Sequence, residues 1–135
     1  MNSIIYLNTT IFLFLAGVHF YWMAGGKWGI SAAIPTTAQH QLIFNPGKAG
    51  TLVVALGLLA FAAVTFAHNF HFEIDVPHYL RYGIAVIFLI RTVGDFRYVG
   101  IFRKIKHTVF ARYDQKYYVP LCAYLAVSEF FLAAY

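Results

Sequence analysis

The sequence predicts an all-α protein, a four-span transmembrane helical bundle with a basic amphipathic interfacial helix between spans three and four. Three observations carry that expectation. The chain is 61% hydrophobic and only 11% charged, against roughly 25% charged residues in a soluble domain. Residues 4–23, 50–70, 79–98 and 118–135 each approach the ~20 apolar residues that a helix needs to cross the hydrocarbon core. The basic residues also collect at 97–116, between the third and fourth stretches. No segment outside these spans is long enough for a second core, so residues 1–135 form a single domain.

The net charge of +5 has two readings, nucleic-acid binding and membrane orientation. The placement of the charge favours orientation. Lys27 and Lys48 flank the first loop, and the third connection is rich in Lys and Arg. The second loop carries Glu73 and Asp75 with no Lys or Arg. All three agree on one topology under the positive-inside rule, with both termini outside and loops one and three cytoplasmic. The expected location is the cytoplasmic (inner) membrane, with no nucleic-acid partner. Residues 22–28 make a poor small-residue cleavage site, which argues against a cleaved signal peptide. The single cysteine, Cys122, excludes an intrachain disulfide and reads as packing.

In the first span, steps of three and four residues bring Asn8, Phe12, Leu15, His19 and Trp22 to one face, the inward one. A long apolar loop follows, punctuated by Gly25-Gly26, Gly29, Pro35 and Pro46-Gly47. It is expected to fold back on the bundle mouth or dip into the membrane, since irregular backbone survives at that depth only under cover. Gly50, Gly57, Ala60, Ala63 and Ala67 give the second span a small-residue surface suited to close helix packing or to a homo-oligomer. Pro77 suits the start of the third span, where Arg81, Phe88, Arg91 and Asp95 share a face. From Ile101 to Tyr113 apolar residues recur at helical spacing opposite Arg103, Lys104, His107 and Arg112. That pattern predicts an interfacial helix whose cations meet anionic lipid headgroups. The fourth span turns Tyr118, Cys122, Leu125 and Glu129 to one side.

Ionisable groups inside a bilayer are expensive, and by default they mark functional sites. Arg91 stands alone among apolar residues, and Asp95 lies four positions later, the spacing of a helical ion pair. At ~1.5 Å of rise per residue, His19, Arg91 and Asp95 fall near the cytoplasmic end. Glu129 falls between the levels of Arg91 and Arg81. Two readings stay open: a structural ion-pair network that fixes helix register, and a polar pocket. In the pocket Arg91 holds an anion, Asp95 and Glu129 handle protons, and His19, Trp22 and Trp28 form the mouth. His19 and His68 stand at opposite ends of their helices, which disfavours a bis-histidine haem. The cluster His68, His71, Glu73, Asp75 and His78 matches no standard metal spacing, so no metal site is assigned and any cofactor is left unknown. P-loops, G-x-S-x-G elbows, H-E-x-x-H and dinucleotide fingerprints are absent from the sequence.

Trp22 with Gly25-Gly26-Lys27-Trp28-Gly29, Ala33-Ile34-Pro35, the Pro46 segment, Gly94-Asp95-Phe96-Arg97-Tyr98-Val99-Gly100 and residues 118–122 together resemble a small bacterial membrane family. That family is catalogued as domain of unknown function 3995. The resemblance spans nearly the whole chain and implies a four-span membrane protein. It implies no activity and no catalytic residues. From the residues themselves, the leading expectation is a binding or transport module for a small anionic or amphipathic molecule, with Arg91, Asp95, Glu129, His19, Trp22 and Trp28 as its site. The alternatives are a membrane-embedded acid/base enzyme acting on a lipid or sterol-like substrate, with Glu129, His19 and Asp95 as catalytic candidates, and a structural accessory subunit.

Overall fold

Long runs of Leu, Ile, Phe and Ala with few internal breakers leave the backbone no better way to satisfy its polar groups than the helix. The computed structural model describes residues 1–70 and 77–135, so the predicted outer cluster of His71, Glu73 and Asp75 lies outside the described residues. The helices are α1 (Asn2–Met23), α2 (Ile30–Ala33), α3 (Gly47–Ala67), α4 (His78–Val93), α5 (Val109–Tyr113) and α6 (Val119–Ala134). A π-helical turn, Asp114–Tyr118, joins α5 to α6. No β-strand forms among the described residues; Thr36 and Leu42 make one isolated bridge.

Among the described residues three helices are long and apolar enough to cross a membrane: Asn2–Met23, Gly47–Ala67 and the continuous run Val109–Ala134. The expectation was four. Helix α4 has only 16 residues, or ~24 Å of rise, because it stops at Gly94 instead of continuing to residue 98. The backbone there turns to φ +80°, a conformation open to glycine and strained for other residues. The predicted amphipathic helix at 101–113 is also absent. Residues 94–108 form an irregular connection, and helix resumes only at Val109, where the Thr108 hydroxyl accepts from the Ala111 N–H as an N-cap.

Two helix pairs build the bundle: α1 lies along α3, and α4 lies along α6, while α1 meets α6 and α3 meets α4 over much less of their length. Successive levels follow from the sequence register. At one end Asn8, Thr65 and Glu129 converge. One turn inward, Phe12, Phe61 and Phe88 pack with ring centroids 5.6–6.1 Å apart, beside the fully buried Leu125. Beyond this aromatic layer α1, α3, α4 and α6 surround a cavity. At the far end of the cavity stands a cluster of charge.

Candidate functional site

The cavity encloses about 860 Å³, within the ~300–1,000 Å³ typical of ligand pockets. Every long helix contributes to its wall: Leu15 and Val18 from α1, Gly57 and Phe61 from α3, Phe88 and Arg91 from α4, Leu121 and Cys122 from α6. His19, Trp22 and Trp28 line it at the loop end. The first loop folds back across this end, with Gly29 and the α2 residues Ser31 to Ala33 against the cavity. Hydrogen bonds hold it there, from the Trp22 indole N–H to the Trp28 carbonyl at 2.7 Å, from the Trp28 N–H to the Tyr21 hydroxyl at 3.4 Å and from the Tyr118 hydroxyl to the Ala32 carbonyl at 3.0 Å. His19 is engaged through Nδ1 with the Leu15 carbonyl at 2.7 Å and sets its ring edge-on to Trp22. The wall is otherwise almost wholly apolar.

Arg91 is the guanidinium in that wall. Its carboxylate partner is Asp114, at 2.8 Å from Nη2, and not Asp95 as the i, i+4 spacing predicted. Asp114 is fully buried. Its other oxygen accepts from Arg103 Nη1 and, at 2.9 Å, from the Gly100 N–H. Arg103 also donates to the Gly100 carbonyl at 2.7 Å and is only 4% exposed. The headgroup contact predicted for Arg103 is therefore corrected: its charge is spent inside the protein, while Lys104, His107 and Arg112 remain exposed. Two guanidiniums share one carboxylate, leaving one positive charge in excess beside an apolar cavity. About a third of the Arg91 side chain remains accessible, while its Nη1 is buried and has no hydrogen-bond partner among the described residues.

The family model described as "Protein of unknown function (DUF3995)" matches residues 12–128. The chain belongs to that family. No curated protein and no solved structure matches it.

The matched stretch includes the Gly-Asp-Phe block, whose geometry explains its composition. A Cβ on Gly94 would collide with the Val99 carbonyl, and one on Gly100 with the Val93 carbonyl, so the two glycines let the chain cross itself. Asp95 sits between them and accepts with a single oxygen from the N–H groups of Arg97, Tyr98 and Val99 at 2.7–3.0 Å. Burial opposes its charged form, but these backbone donors outweigh that and hold the carboxyl below its ordinary value. Asp95 thus shapes the loop on the exposed side and does not border the cavity.

Glu129 also lies elsewhere. It is fully buried on the other side of the aromatic layer, accepting from Asn8 Nδ2 at 2.8 Å and from the Thr65 hydroxyl at 3.0 Å, while Asn8 also reaches Ser128 at 2.9 Å. Asn8 and His19 are eleven residues apart on α1, ~16 Å of rise, so the predicted acid/base pair of Glu129 and His19 is not assembled. Of the predicted site residues, the structure brings Arg91, His19, Trp22 and Trp28 to one cavity and leaves Asp95 and Glu129 outside it. Asp114 was missed, although the inward face Tyr118, Cys122, Leu125, Glu129 leads to it when extended back by one turn. Among the described residues no three His, Cys, Asp or Glu side chains gather as a metal site.

Proposed function

We propose that this protein is a four-span integral membrane protein that binds a small anionic or amphipathic molecule in its interior cavity, with Arg91 as the anion contact. One observation carries the reading: a guanidinium with a share of unneutralised charge forms part of an otherwise apolar wall. Unpaired charge in such surroundings is costly, and an anion placed in the cavity offsets the excess. His19, Trp22 and Trp28 line the loop end of the cavity, and their rings provide a surface that is apolar in body and polar at the edge.

On this reading α4 completes the bundle as a short fourth span against α6. Lys27, Lys48, Arg97, Lys104 and Lys106 all lie at the cavity end. The positive-inside rule then sets that end on the cytoplasmic side of the inner membrane, with the termini opposite. Lys104, His107 and Arg112 supply the headgroup contacts. Binding without transport and binding during transport share this site.

The test is a panel of small anions and amphiphiles scored by ligand-dependent thermal shift on purified protein. Arg91→Gln is expected to abolish the shift. Glu129→Gln, on the far side of the aromatic layer, is expected to retain it. Shifts that persist unchanged in Arg91→Gln contradict the assignment.

A further inference from the structure

The way in narrows the choice of ligand. From the loop end the cavity is covered by the tied-down segment around α2. On the side between the helix pairs, α3 and α4 touch only sparingly. Val54 of α3 and Ile87 of α4 both line the cavity, and they are 46% and 50% exposed. Both are aliphatic, and neither end of that gap presents a charge until Arg91, one turn beyond Ile87. A water-borne anion has no polar lining to follow along such a path. A hydrocarbon chain meets the same chemistry it leaves in the bilayer.

Resting on the anion-binding reading of the cavity, we propose that its occupant is a single-chain anionic amphiphile, a long-chain carboxylate or phosphate monoester, drawn from the bilayer between α3 and α4. The chain lies against Gly57, Phe61 and Leu121, where glycine leaves room on α3. The headgroup meets Arg91. Guanidinium forks match carboxylate and phosphate oxygens and use two donors at once, and Arg91 spends one nitrogen on Asp114. A diacyl phospholipid exceeds what a cavity of about 860 Å³ encloses, since pockets of that size hold drug-sized ligands.

The experiment uses the full chain in phosphatidylcholine nanodiscs and a long-chain fatty acid carrying a diazirine on its tail. After illumination, labelled residues are mapped by peptide mass spectrometry, with oleate, oleyl alcohol and butyrate as competitors. Labelling is expected on cavity residues such as Phe61 and Leu121. Oleate is expected to compete at least tenfold better than either of the other two. Val54→Trp, which narrows the gap, is expected to reduce labelling severalfold, and Arg91→Gln to weaken oleate competition at least tenfold. Unchanged labelling in Val54→Trp overturns the route. If butyrate matches oleate and depends on Arg91, the amphiphile is overturned while the anion site stands. If oleyl alcohol matches oleate, or labels fall only on outward residues such as Leu56 and Val127, the proposal and the reading beneath it both fall.

Discussion

Replacing Asp114 by alanine exposes how the charged end of the cavity is held. The carboxylate satisfies Arg91, Arg103 and the Gly100 N–H. The three partners do not suffer equally when it goes. Arg91 is about one-third exposed and has the cavity to turn into, so it suffers less than the buried Arg103. The Gly100 N–H is left buried without an acceptor, a cost of about 1–3 kcal/mol. Arg103 is 4% exposed, and breaking a buried pair from one side costs about 3–5 kcal/mol because the remaining charge is uncompensated. These costs overlap, since relaxation that rescues Arg103 also frees Gly100. The net expectation is about 3–5 kcal/mol, set by Arg103. Reversible unfolding in mixed SDS micelles, followed by tryptophan fluorescence, measures it. The cycle with Arg103→Met is expected to show strong coupling, because with both groups gone no buried charge is stranded. A loss below about 1 kcal/mol, the range of an exposed pair, or a cycle without coupling, refutes the burial argument for Asp114.

Further outcomes follow at other positions. Glu129→Gln keeps the oxygen that accepts from Asn8 and Thr65 but removes the charge that faces the buried Arg81; Glu129→Leu removes that charge and strands both donors as well, so it is expected to cost about 1–3 kcal/mol more than Glu129→Gln in the same micelle assay. Gly94→Ala forces a Cβ against the Val99 carbonyl at φ +80°, so limited proteolysis is expected to open residues 94–108 while the helices stay protected. For Asp95 the folded value is depressed, so its contribution is complete above the unfolded carboxylate value of about 3.9 and is lost as pH falls through the lower folded value. The stability gap between the native chain and Asp95→Ala is expected to be flat from pH 6 to 8 and to shrink toward pH 3.

Two of the long apolar helices were closely legible because apolar length is a one-dimensional signal. Residues 4–23 and 50–70 differ from α1 and α3 by only a few positions, and the inward face Asn8, Phe12, Leu15, His19, Trp22 was readable from helical periodicity. What periodicity cannot show is where a helix stops short of its apolar run. Gly94 turns the chain with positive φ, so Asp95 leaves the helical face on which i, i+4 spacing had placed it. Arg91 then finds a carboxylate 23 residues away. Residues 101–113 alternate well enough to pass for an amphipathic helix, but Arg103 is drawn inward by a buried acid that lies outside that pattern. Burial of a charge by a distant partner leaves no periodic trace. The separation of Arg91 from Glu129 is likewise three-dimensional, made by Phe12, Phe61 and Phe88 meeting from three helices.

The most direct measurement is the mass of whatever the protein carries out of the membrane. Native mass spectrometry after extraction in mild detergent is expected to show the native chain with one bound single-chain anion, released on activation, and Arg91→Gln without it. A native chain that flies bare under conditions that preserve other lipid adducts, or an adduct equally abundant in Arg91→Gln, contradicts a cavity built around that guanidinium.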